Sequence, residues 1–84
     1  MKVSFTDDSF DEFNYWAETD RKVYRKIVKI IHDIARSPFD GLGKPEPLRY
    51  NYPGCWSRRI TDEHRLIYQI IEDEIIIISC RYHY

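Results

Sequence analysis

This sequence holds little glycine, little cysteine and no long apolar run, and each shortage removes a class of protein. Its longest purely aliphatic stretch is Ile75 to Ile78, far short of the ~20 residues a membrane helix needs. No N-terminal segment joins a basic start to a long apolar core, so the expectation is a cytoplasmic protein without leader or membrane span. Cys55 and Cys80 lack CxxC spacing, and with three scattered histidines they make no recognisable metal motif. They read as reduced, buried thiols; neither a metal nor another cofactor is expected. Only three of 84 residues are glycine, while 43% are hydrophobic and 15% aromatic, which excludes a disordered chain. Repeats and low-complexity segments are also lacking. What remains is one small packed domain over residues 1–84, with modest stability of its own.

There is also little net charge, formally −1, which argues against a strongly basic nucleic-acid binder. That sum hides a separation. Residues 7–20 carry six acidic side chains and no basic one, whereas residues 21–36 carry six basic side chains against Asp33 alone. The two blocks read either as solvated helix faces or as a docking surface for a polyanion, with Lys22, Lys26 and Lys29 among the candidate contacts.

Local patterns place the elements. Val3 and Phe5 alternate with polar neighbours, predicting a short strand. Thr6 suits a helix N-cap, with Asp7 and Asp8 in the first turn and Phe5 and Phe10 spaced for a hydrophobic staple. Phe10, Phe13, Trp16 and Ala17 then share a helical stripe, so the first helix runs to about Glu18. Asp20 caps a second helix, whose Val23, Ile27, Ile30, Ile31 and Ile34 form one apolar face. Pro38 stops it near Ser37. Residues 37–47 hold three of the four prolines and two of the three glycines, a rigid loop. Four β-rich segments follow: Leu48 to Tyr50, Cys55 to Thr61, His64 to Glu72 and Glu74 to Tyr82. Strands joined by turns this short are antiparallel. The fold class is α+β: an antiparallel sheet with two N-terminal helices packed on one face, in the order β-α-α-β-β-β-β.

Strand alternation sorts the polar residues. Ile75, Ile77, Ser79, Arg81 and His83 fall on one side of the last strand, and Ile76, Ile78, Cys80 and Tyr82 on the other. Leu66, Tyr68 and Ile70 suit the helix-covered face, which turns Arg65, Ile67 and Gln69 to the opposite one. Arg59 goes with Ser57, and Trp56, Arg58 and Ile60 go together. On this count Arg65 and His83 meet on the helix-free side, provided no bulge intervenes. Singly, a terminal His, a strand Arg and a loop Glu are ordinary solvated residues. Together they supply a proton acceptor, a proton donor and a fixed cation, the parts that phosphoryl chemistry requires.

In fragments and order the sequence closely resembles the YoeB toxins of bacterial toxin–antitoxin systems, within the RelE-like superfamily. The resemblance spans the chain through YWAETD, GKPEPL, WSRRIT, EHRLIY and the terminal CRYHY. It implies a metal-independent endoribonuclease that cuts mRNA in the ribosomal A site. It also implies an active site of Glu46, Arg65, His83 and Tyr84. Arg59 would bind the RNA backbone, together with Lys44 and with Arg49, which stands where lysine is expected. A cognate YefM-like antitoxin is implied too, with operator DNA bound only through the joint complex. RNA brings its own nucleophile, so the chemistry needs a base for the 2′-hydroxyl, a cation for the phosphate and an acid for the 5′-oxygen. Glu46 is preferred as base and His83 as acid, with the exchanged assignment open. Phe10 and Trp16 are candidates for a homodimer surface, although their spacing suits the core first. The alternatives are a ParE-like toxin that inhibits DNA gyrase by binding, and a module that only partners antitoxin and DNA.

Overall fold

Thr6 ends the first strand and starts the first helix. Its side chain accepts a hydrogen bond from the Ser9 amide at 3.2 Å, the expected N-cap. In the computed structural model, which describes residues 1–82, the elements are β1 (Lys2–Phe5), α1 (Asp7–Thr19), α2 (Arg21–Arg36), β2 (Glu46–Pro47), β3 (Trp56–Arg59), β4 (Arg65–Ile71) and β5 (Glu74–Ser79). Phe5 and Phe10 make the staple edge to face, 6.0 Å between centroids. Asp20 caps α2 through the amides of Lys22 and Val23, and Ser37 closes it. No helix among the described residues is long and apolar enough to cross a membrane.

The sheet order is β1-β5-β4-β3-β2. β2 to β5 are antiparallel, as their short connections require, but β1 joins the edge of β5 in parallel. The expectation of a wholly antiparallel sheet is corrected there: no tight turn links β1 to any strand, so nothing local set its direction. The strand expected at Leu48 to Tyr50 lies earlier, at Glu46–Pro47. Leu48 instead donates its amide to the Cys55 carbonyl at 2.9 Å, closing the 48–55 loop. The loop's Leu48 and Cys55 pack on Ile67.

The core lies between sheet and helices, where Ile27, Ile30 and Ile34 of α2 meet Leu66, Ile75 and Ile77. Trp16 belongs to it at 7% exposure, while Phe10 is 54% exposed. The shared stripe therefore divides between core and surface. β5 carries a bulge: Ile67 pairs with Ser79 but Tyr68 pairs with Ile77, leaving Ile78 extra. Cys80 consequently lies in the helix-covered core beside Ile75 and Ile77, reversing the strict alternation that grouped it with Ile76 and Ile78. The last strand also stops at Ser79 and not at Tyr82.

Candidate functional site

β3 and β4 bring two cations face to face. Arg59 is the direct partner of Arg65 in the antiparallel register, and Ser57 is the partner of Ile67. Ser57 also pairs with Glu46 on the other side. Paired residues share a face, so Glu46, Arg59 and Arg65 all stand on the side away from the helices, Glu46 diagonal to Arg59. Like charges directly opposite destabilise a sheet by some tenths of a kcal/mol. An anion between them would reverse that sign.

The arginines are held differently. Arg65 is half-buried, and its Nη1 donates to the carbonyls of Thr61, Asp62 and His64 at 2.8, 3.1 and 3.2 Å. Its Nη2 has no hydrogen-bond partner among the described residues. One nitrogen thus fixes the plane of the guanidinium. Arg59 is exposed; its amide donates to the Gly43 carbonyl at 2.6 Å, which docks the glycine–proline loop on β3. A Cβ at Gly43, where φ is +77°, would come within 2.7 Å of the Arg59 carbonyl, so only glycine permits this approach. Lys44 follows it, exposed and also in the left-handed region with φ 51°. Arg49 is farther along, in the wall of a cup of about 400 Å³ formed by residues 47–52. Lys22, Lys26 and Lys29 are exposed on α2, in the helical layer, and do not join this group.

The expected His83 and Tyr84 lie outside the described residues. The chain leading to them is anchored. Trp16 Nε1 donates to the Cys80 carbonyl at 2.9 Å, and the Cys80 amide donates to Glu12 Oε1 at 2.8 Å. The Arg81 guanidinium sits 3.7 Å from the centre of the Tyr15 ring, a cation–π contact. Tyr82 places its carbonyl 3.1 Å from the Arg65 amide, and its own amide donates to His64 Nδ1 at 2.7 Å. The end of the described chain therefore abuts the Arg59–Arg65 pair. Neither cysteine is suited to nucleophilic work, because burial raises the Cys55 thiol and, with the nearby Glu12 charge, pushes Cys80 up to about 12. Among the described residues no group of three His, Cys, Asp or Glu side chains is placed to hold a metal ion.

Sequence reasoning missed two supports. Arg58, fully buried, donates to Asp33 Oδ2 at 2.7 Å and to the carbonyls of Ser37, Asp40 and Leu42. It pins the loop that carries Lys44 and Glu46. The hydrogen bond from the Leu42 amide, then Arg58 and Arg36, hold the Asp33 carboxyl down at about 2. The second is His64, half-buried and edge on to Trp16 at 4.7 Å. Its one available signal was proximity to Arg65 in EHRL.

A mixed sheet with two helices packed on one face is the RelE-like α+β fold. A chain of the RelBE2 toxin–antitoxin complex of Mycobacterium tuberculosis shares the fold, with a TM-score of 0.72 at 22% identity over 98% of this chain and 96% of that one. More specifically, residues 5–84 match the family described as YoeB-like toxin of bacterial type II toxin-antitoxin system, and the chain belongs to that family. Toxin YoeB of Escherichia coli O6:H1 is 52% identical over 84 residues, covering both chains in full. The solved YoeB/ParE toxin from Agrobacterium tumefaciens is similar at TM-score 0.97 and 44% identity, again over all of both chains. YoeB from Staphylococcus aureus, solved as a dimer and in complex with YefM, is similar at TM-score 0.93, with 39% and 38% identity, over 100% of this chain and 98% of that one.

Proposed function

We propose that this toxin is an endoribonuclease that cuts mRNA in the ribosomal A site by in-line attack of the RNA's own 2′-hydroxyl. The observation that carries the reading is the direct Arg59–Arg65 pairing with Glu46 on the same open face. Two guanidiniums side by side suit the non-bridging oxygens of one phosphodiester, whose charge grows as the phosphorane forms. Glu46 takes the 2′-hydroxyl proton as that oxygen bonds to phosphorus. His83 gives a proton to the departing 5′-oxygen, leaving a 2′,3′-cyclic phosphate and a free 5′-hydroxyl. The nucleophile is intramolecular, so the scheme calls for no metal or other cofactor. Tyr84 stacks on a base and holds the nucleotides splayed for attack. Lys44 and Arg49 continue the cationic track along the RNA.

The same reading gives the toxin a YefM-like antitoxin as partner, supported by the Staphylococcus aureus YoeB–YefM complex; operator DNA is then met only through that complex. A homodimer is supported by the dimer of the same relative, with Phe10 as an exposed contact. Translation in vitro of one defined message, mapped by primer extension, tests the activity. Wild type should produce discrete cuts, and Glu46→Ala and His83→Gln should lower their rate about 100-fold or more. Intact transcripts accompanied by inhibition of DNA gyrase would overturn the reading in favour of a binding toxin.

A further inference from the structure

We infer that His64 is a positioning residue, whose Nδ1 lone pair fastens the Tyr82 backbone and so aims the end of the chain at the Arg59–Arg65 pair. The inference rests on the endoribonuclease reading above, which assigns His64 no part. Ladder pairing stops at Ser79, so the next three residues need other fastenings. Cys80 is held by Trp16 and Glu12, and Arg81 by the Tyr15 ring. Tyr82 has φ 67°, a left-handed conformation that a tyrosine adopts only when its surroundings impose it.

Two backbone hydrogen bonds impose it. The Tyr82 carbonyl accepts from the Arg65 amide at 3.1 Å, and the Tyr82 amide donates to His64 Nδ1 at 2.7 Å. A backbone amide only donates, so Nδ1 must present a lone pair and the ring hydrogen sits on Nε2. That nitrogen faces the Glu63 carboxylate at 3.7 Å. The ring cannot drift. Its side chain is only 12% exposed, it meets Trp16 edge on at 4.7 Å, and its amide is tied to Thr61 Oγ1 at 3.0 Å. Trp16 thereby grips both anchor points, the Cys80 carbonyl and the His64 ring. Arg65 follows His64 directly in sequence, so one turn sets the phosphate-facing cation and the chain end together.

Substitution separates the acceptor from the ring. Asparagine places an oxygen where Nδ1 stands, glutamine reaches the Nε2 position instead, and alanine supplies neither. In single-turnover cleavage on programmed ribosomes, His64→Ala should slow the cutting step about 100-fold with ribosome affinity within about twofold. His64→Asn should remain within about tenfold of wild type. In amide-resolved NMR, the Tyr82 proton should shift and exchange faster in His64→Ala but stay protected in His64→Asn. Wild-type cutting by His64→Ala, beside an inactive His83→Gln, would overturn the latch and leave the nuclease reading standing. An unmoved Tyr82 amide in His64→Ala would overturn the latch whatever the activity. An active His83→Gln would instead sink the underlying reading. If His64→Ala does not fold, active Asn with inactive Gln supports the latch, and equal behaviour of the two overturns it.

Discussion

Arg58 shows how much one residue can organise in a chain of 84. It has no exposure and ties α2 to three carbonyls of the following loop. Removing one partner of a buried ionic network costs about 3 to 5 kcal/mol, because the remaining groups stay buried and unpaired. Arg58→Met should therefore lower the Tm by more than about 10 °C, measured by calorimetry. The Asp33 side of the network has a pH signature. Its carboxyl is lowered from 3.8 to about 2 in the folded state, so the stability it contributes is present above about pH 4 and drains away as pH falls towards 2. Asp33→Asn should flatten that part of the acid unfolding curve. Alternation along β3 grouped Arg58 with Trp56 and Ile60, and the structure turns that group to the helix side, opposite Leu66 and Tyr68. The burial of Arg58 was not legible, because the partner carboxylate lies in a different element and no local pattern announces it.

Among the elements, the helices were the most legible, since caps and apolar stripes are local. Thr6 and Asp20 act as their chemistry demands, and α1 and α2 end within a residue of where expected. The faces of β3 and β4 followed from alternation for the same reason. The sheet edges did not: β2 is Glu46–Pro47, with Pro45 just before it, and prolines lack ladder donors, while β1 takes its direction from a partner more than 70 residues away. The bulge at Ile78 is a register event without a sequence mark. Past it, Cys80 reaches Trp16 only because the count has shifted by one. Deleting Ile78 joins Ile77 directly to Ser79 with both pairings kept, so the residues beyond Ser79 keep their faces and far-UV circular dichroism should stay nearly native, while cutting should fall about 100-fold because the bend that the bulge adds is lost. Retained cutting would mean that the bulge serves packing alone.

At the scale of the whole molecule, the proposed site and the cationic helix occupy opposite layers. Reversing Lys22, Lys26 and Lys29 to Glu should weaken ribosome association and reduce its salt dependence, while the Tm stays nearly unchanged. An unaltered salt slope would leave them as solvated charges. Deleting His83 and Tyr84 should abolish cutting with a Tm shift of only a few degrees, since the described core ends before them. The sheet order carries one more consequence. β5, the last strand to be synthesised, lies between β1 and β4, so no shorter nascent fragment can close the core. Under the proposed activity, a nascent copy therefore stays harmless until β5 has emerged and taken its place between β1 and β4.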